Sequence, residues 1–167
     1  MRLREYNGSD LRAIFALDVV CFAPPFRFSE RAMRQFAEAR NALTVIAEDE
    51  ATKEIAAFTI AHVERARKGL VAYIVTLDVA PQYRRQGVAR RMMQEIEQQA
   101  LEADCDAVEL HVSVENDGAI AFYEREGYER SHIVKGFYGL GRHAYVYRKR
   151  LGSAVRYGEE WAAFLKV

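Results

Sequence analysis

The stretch Asp78-Val-Ala-Pro-Gln-Tyr-Arg-Arg-Gln-Gly-Val-Ala-Arg-Arg-Met-Met93 decides the fold of this chain. An apolar run ends at Val79, an arginine-rich turn follows, and a helical pattern begins after Gly87. This order predicts a strand, a tight basic loop and a helix N-terminus, where free backbone N–H groups and the positive end of the helix dipole converge. Such a junction can bind a phosphate or pyrophosphate. Gly87 lacks a Cβ, so an anion could approach the main chain closely there.

The same loop excludes two familiar phosphate sites. It is not a P-loop, because no Gly-Lys-Ser/Thr follows, and it lacks the three-glycine spacing of a dinucleotide fingerprint. Taken alone, the loop could also be a plain connection between a strand and a helix. Its position at the carboxyl end of a strand, where open α/β sheets bind ligands, and its arginines favour a ligand site.

Bulk properties limit the class of protein. A chain of 167 residues fits one domain, and its formal net charge of zero argues against a nucleic-acid partner. The two cysteines, Cys21 and Cys105, are expected to be buried thiols in a reducing compartment. The N-terminal residues lack the apolar core of a signal peptide, and no run reaches the roughly 18 apolar residues of a membrane span. We therefore expect a cytoplasmic protein with no membrane partner and no metal.

Hydrophobic periodicity predicts the element order β-α-α-β-β-β-α-β-α-β-β. The predicted strands cover residues 3–6, 43–47, 55–63, 70–79, 108–114, 129–134 and 144–151. Ser9 or Asp10 would cap the first helix, Ser29 the second, and Asn116 or Asp117 the last. A strand–helix–strand unit flanked by hairpins implies a mixed α/β sheet with one parallel crossover and helices on both faces.

A second block accompanies the loop: Leu110-His-Val-Ser-Val-Glu-Asn-Asp-Gly-Ala-Ile-Ala-Phe-Tyr-Glu-Arg-Glu-Gly-Tyr128. Together with Arg84-x-x-Gly87-x-Ala89 it resembles the two signatures of the GNAT acetyltransferase superfamily, in the family's order and separation. The resemblance covers most of residues 1–151, which we predict to be one GNAT-like domain. Residues 152–167 would be a tail able to add a short helix with Trp161, Phe164 and Leu165.

Within that superfamily the chain is most similar in motif to protein N-terminal acetyltransferases. The resemblance implies that two central parallel strands splay apart and that acetyl-CoA inserts between them as a co-substrate. Its pantetheine arm would pair with main-chain groups of Leu77 and Val79, and its pyrophosphate would rest on the loop. The implied cofactor-binding residues are Leu77, Asp78, Val79, Arg84, Arg85, Gln86, Gly87, Val88, Ala89, Asn116 and Tyr123.

Acyl transfer to an amine needs a neutral amine, a stabilised oxyanion and a protonated leaving thiol. At pH 7 an α-amine loses its proton at a cost of about 1–1.4 kcal/mol and a lysine at about 4.6 kcal/mol, which favours an N-terminal amine. The resemblance implies that His111 and Tyr73 hold a deprotonating water and that Tyr123 is the general acid. From the residues alone, His111 could be a polar residue on the wet face of a strand, and Tyr123 a core aromatic or only a hydrogen-bond donor.

Two aromatic loops are predicted to bind the acceptor. The first runs from Phe22 to Phe28 and would act through Phe22, Pro25 and Phe26, and the second contains Phe137 and Tyr138. We expect transfer of acetyl to a peptide N-terminus by direct attack in a ternary complex, in a monomer or homodimer. A polyamine, amino acid or aminoglycoside acceptor is the first alternative. The second is a regulatory domain that binds acyl-CoA without turnover.

Overall fold

Seven strands and four helices make up the part of the chain that the structure, a computed structural model, describes, namely residues 1–152. The strands are β1 (Arg2–Glu5), β2 (Ala42–Glu48), β3 (Ile55–Arg65), β4 (Leu70–Val79), β5 (Cys105–Ser113), β6 (Glu129–Val134) and β7 (Ala144–Arg150). The helices are α1 (Leu11–Cys21), α2 (Glu30–Ala37), α3 (Val88–Glu102) and α4 (Asp117–Arg125). The predicted tail helix lies outside the described residues, and the division at residue 151 stays a prediction.

The strands form one sheet in the order β1-β2-β3-β4-β5-β7-β6. Neighbours are antiparallel except β4 and β5, which are parallel. Helices α3 and α4 cover one face of the sheet through Met92, Ile96 and Tyr123, and α1 and α2 cover the other through Ile14 and Met33. The predicted mixed α/β class is therefore confirmed. No described helix is both long enough and apolar enough to cross a bilayer.

The parallel pair separates halfway along its length. Its ladder runs from Leu70 opposite Cys105 to Ile74 opposite Leu110 and then stops, although both strands continue. At this point β4 carries a bulge, because Ile74 and Thr76 face consecutive residues of β3 and Val75 faces none. A bulge bends its strand and increases the local twist. A gap between β4 and β5 follows from it.

Two element starts differ in detail from the sequence prediction. Asn7 caps a short 3-10 turn, Gly8–Asp10, that precedes α1: its side chain accepts from Ser9 N–H, and the Asp10 carboxylate accepts from Asn7 N–H at 2.8 Å. Asp10 occupies the N-cap position of α1, as predicted for one of two residues, but its side chain makes no cap hydrogen bond to that helix. Strand β5 begins at Cys105, three residues earlier than expected, because Cys105 and Ala107 are buried in the sheet. The caps predicted at Ser29 and Asn116 are confirmed.

Candidate active site

The gap between β4 and β5 exposes main-chain groups of β4. Ala80 N–H donates to Ala56 O at 2.9 Å, and hydrogen-bonded and non-bonded residues alternate along an antiparallel pair. The main-chain N–H and C=O of Asp78 therefore hydrogen-bond to β3, whereas the peptide groups of Leu77 and Val79 point away from β3 into the gap. The Val79 carbonyl already accepts from Arg84 Nε at 2.9 Å and from Cys21 Sγ at 3.4 Å. By this alternation the Val79 N–H and the N–H and C=O of Leu77 point into the gap, beyond the end of the ladder between β4 and β5.

The loop after β4 has the backbone geometry expected of an anion site. Arg85 (φ 59°) and Gly87 (φ 79°) both take the left-handed backbone conformation, and α3 begins directly afterwards at Val88. Consecutive N–H groups in such a loop and in the first helical turn lack internal acceptors and form an anion-binding concavity. A Cβ built on Gly87 would meet no atom within 4 Å, so the space above it is open.

A cavity of about 720 Å³ joins the gap to this loop. It is lined by nine of the eleven predicted cofactor residues: Leu77, Val79, Arg84, Arg85, Gly87, Val88, Ala89, Asn116 and Tyr123. The other two point elsewhere. The carboxylate of Asp78 is buried on the α1 side of the sheet, where burial raises its pKa to about 8. The Gln86 amide donates to the carbonyl of Gln82 at 2.9 Å.

A second cavity of about 390 Å³, called the acceptor cavity because residues of both predicted acceptor loops line it, lies beside the gap. Its aromatic lining comes from Phe22, Phe26 and Phe28 of the α1–α2 connection and from Tyr138 of the β6–β7 loop. The rings of Phe26 and Tyr138 meet edge-on with centroids 4.9 Å apart, so the two predicted acceptor loops contact each other. Pro25 does not line this cavity.

Tyr123 stands where the two cavities meet, since it lines both. Its helix is positioned by Asn116, whose side-chain oxygen accepts from Ala119 N–H at 3.1 Å, and the Asn116 amide NH₂ remains able to donate to a ligand. Within residues 1–152 no group hydrogen-bonds the Tyr123 hydroxyl. Burial raises the pKa of Tyr123 above its ordinary value. The hydroxyl therefore keeps its proton and can donate a hydrogen bond. Complete transfer of that proton would be unfavourable, because the pKa is raised.

His111 and Tyr73 come together across the parallel pair. The Tyr73 hydroxyl lies 3.0 Å from His111 Nδ1, and His111 lines the acceptor cavity. Burial lowers the pKa of His111, with Glu109 opposing, so the imidazole is neutral near pH 7. If Nδ1–H donates to the Tyr73 oxygen, Nε2 carries the free lone pair. No hydrogen bond from the described residues engages Nε2, so this nitrogen can accept a proton.

Phe137, predicted to bind the acceptor, lies outside both cavity linings and instead stacks on His111 with ring centroids 3.9 Å apart. Phe28 is the last residue of the predicted Phe22 to Phe28 loop, whereas several other residues of the cleft, among them Glu115 and Cys21, were not predicted as site residues. Phe28 and Glu115 line the acceptor cavity, and the thiol of Cys21, expected to be buried, is half-buried in the cofactor-side cavity. Phe28 belongs to the same aromatic run as Phe26, and this run was the one available signal. No group of three metal-ligating side chains occurs among residues 1–152.

Comparisons with known proteins place this geometry in a family. An N-alpha-acetyltransferase of Saccharolobus solfataricus is 33% identical over 87 residues, 51% of this chain and 50% of that protein, so the chain spans half the length of this curated relative. NAA60 of Arabidopsis thaliana, solved with a bisubstrate analogue, shares the fold, with a TM-score of 0.81 and 22% identity over 92% of this chain and 99% of that one. Naa20 of Chaetomium thermophilum, also with a bisubstrate analogue, has a TM-score of 0.77 and 26% identity over 93% and 90%.

The model of the Acetyltransferase (GNAT) family matches residues 11–128, which are more than half of the chain. The match includes both sequence blocks, the gap and Tyr123. The resemblance seen in the sequence is confirmed, and the chain belongs to the acetyltransferase (GNAT) family.

Proposed function

We propose that this protein transfers acetyl from acetyl-CoA to the N-terminal amine of a peptide or protein, by direct attack in a ternary complex. The observation that carries the proposal is the meeting of two cavities at Tyr123, one ending at an anion loop and the other lined by aromatic rings and His111. A donor and an acceptor can then occupy the gap at the same time. No covalent enzyme intermediate is needed.

The cofactor-side residues fit acetyl-CoA. The N–H and C=O of Leu77, which face the gap, can pair with a pantetheine arm as a further strand would. The N–H groups at Gly87 and the flanking arginines can bind a pyrophosphate. Acetyl-CoA would supply an acetyl group activated as a thioester, and the N–H of Val79 can donate to the carbonyl oxygen of that thioester.

The residues around the acceptor deprotonate the amine and stabilise the leaving thiolate. His111, with Tyr73 at its Nδ1, takes the amine proton through a water, and the uncharged nitrogen forms the C–N bond as the C–S bond breaks. The Tyr123 hydroxyl hydrogen-bonds the departing sulfur. The acylated nitrogen then releases its second proton to solvent, and the thiolate takes a proton from solvent. Because the pKa of His111 is lowered, the base suits an α-amine better than a lysine side chain.

The lining of the acceptor cavity favours a peptide over a polyamine. Four loop aromatics and main-chain edges of two strands surround it, and Glu115 is the one carboxylate among its lining residues. A polycation would be expected to need several acidic groups. Relatives named N-alpha-acetyltransferases, and similar structures solved with bisubstrate analogues, support the same acceptor.

The test is thiol release from acetyl-CoA with a panel of acceptors. The panel contains peptides with free N-termini, the same peptides with blocked N-termini and an internal lysine, and free polyamines and amino acids. We expect release only with free N-termini, with apolar first residues preferred because the cavity is aromatic. Faster turnover of polyamines would refute the peptide assignment. Cofactor binding without turnover of any acceptor would instead indicate a non-catalytic acyl-CoA-binding domain.

A further inference from the structure

We propose that Phe137 is a positioning residue of the acyl-transfer site, whose ring holds the imidazole of His111 in one plane. The inference rests on the proposed function, because it concerns the residue that covers the base. It replaces the acceptor-binding role that the sequence predicted for Phe137.

The stacking geometry is the first support. The rings of Phe137 and His111 are parallel to within 3°. The χ2 torsion of a histidine is broad and two-fold, so the side chain's own rotamer does not define the imidazole plane. The Tyr73 hydroxyl at Nδ1 determines which edge of the imidazole faces β4. The stacked ring determines the plane, and together the two contacts leave one orientation for Nε2.

The β6–β7 loop holds Phe137 in place. Gly136 N–H donates to Nδ1 of His143 at 2.9 Å, which closes the base of the loop. The Tyr138 ring meets Phe137 edge-on at 4.8 Å, and the Tyr138 hydroxyl donates to the His111 carbonyl at 3.3 Å. Phe137 itself is 42% exposed. The ring can therefore be replaced by a smaller side chain without opening the hydrophobic core.

The stacked ring also shields the imidazole from water. The titratable groups that face His111 are Tyr73 of β4, Glu109 of β5, His132 of β6 and Tyr138 of the loop. Burial outweighs the effect of Glu109 and lowers the pKa of His111. Loss of the ring should bring that pKa back toward its ordinary value.

The first measurement is steady-state kinetics on Phe137→Leu, which keeps an apolar side chain but removes the flat face. Since an aromatic pair contributes beyond its buried area, we expect kcat to fall about 2- to 13-fold with the KM for the peptide unchanged. Phe137→Tyr should restore kcat. Leu140→Ala is the matched control, because Leu140 is fully exposed in the same loop. A raised KM with unchanged kcat would make Phe137 an acceptor contact and overturn the proposal.

The second measurement is an NMR titration of the His111 ring without any acceptor. Its pKa should rise in Phe137→Leu and stay at the wild-type value in Leu140→Ala. An unchanged His111 titration in Phe137→Leu overturns the proposal, whatever the kinetics show. If the wild-type protein acetylates no peptide, the proposed function fails, and the titration still decides whether Phe137 holds and shields His111.

Discussion

Replacing Tyr123 by phenylalanine removes a single hydroxyl from the point where the two cavities meet. In the described part of the chain that hydroxyl has no hydrogen-bond partner to lose. The ring keeps its edge-on contacts with Phe122 at 5.1 Å and Tyr128 at 5.6 Å. We therefore expect the free energy of unfolding to stay within about 0.5 kcal/mol of wild type.

The expected effect is on turnover. A hydrogen bond to a charged group contributes about 1.5–3 kcal/mol, and the departing sulfur develops negative charge. At about 1.36 kcal/mol per tenfold, kcat should fall about 13- to 160-fold. Because the pKa of Tyr123 is raised, the hydroxyl stays protonated throughout the usable range, so the loss should not depend on pH.

The assay is thiol release at saturating acetyl-CoA and peptide, combined with calorimetric titration of CoA. Tyr145→Phe is the matched control, since Tyr145 loses the same atom and lies outside both cavity linings. A kcat for Tyr123→Phe within a factor of two of this control would refute the role of the hydroxyl. Weaker CoA binding with kcat retained would assign Tyr123 to cofactor binding alone.

Three further substitutions test separate parts of the site. His111→Gln should remove the acidic limb of the pH–rate profile, which in wild type should lie below about pH 6.5 because burial lowers the pKa of His111. Asp78→Asn should stabilise the protein at high pH. The folded-state pKa of Asp78 is raised from 3.8 to about 8, so the wild-type free energy of unfolding should decline as pH rises between these values. Urea unfolding on both sides of that range should show this decline in wild type and not in Asp78→Asn. The same variant should bind CoA like wild type, because its side chain lies outside the cleft. Glu115→Gln should lower kcat/KM about 1.4- to 5-fold for peptides with lysine as second residue and leave neutral peptides unchanged, as measured by thiol release.

The parts of the site that local rules determine could be predicted from the sequence. Gly87 was identified as the residue where an anion approaches the main chain, and its φ of 79° suits glycine. Asn116 was identified as a helix cap, and its side chain does cap α4. Both predictions depend on a few neighbouring residues, so the fold around them adds little information.

The parts that depend on distant contacts could not be predicted. The stacking of Phe137 on His111 needs the β6–β7 loop to fold back over β5, and residues 135–143 carry no signal for that contact beyond their glycines. Cys21 looked like a core residue because it ends an apolar helix face. Its thiol reaches the gap only because the Val79 carbonyl faces away from β3.

The bulge at Val75 explains why the Asp78 side chain lies outside the cleft and why the cleft exists. Before the bulge, the side chains of Ala72 and Ile74 face α3 and α4; after it, those of Leu77 and Val79 do. Because the bulge adds one residue to β4, the Asp78 carboxylate faces α1, and the peptide groups of Leu77 and Val79 face the gap. In a regular strand every side chain after residue 75 would face the opposite side of the sheet, and Asp78 would enter the apolar core under α3. Residues 70–75 are apolar on both faces except for Tyr73, so the alternation of Thr76, Leu77, Asp78 and Val79 has no earlier pattern against which the shift could be seen. One extra residue in β4 therefore links the packing of the sheet to the main-chain groups proposed to bind the thioester.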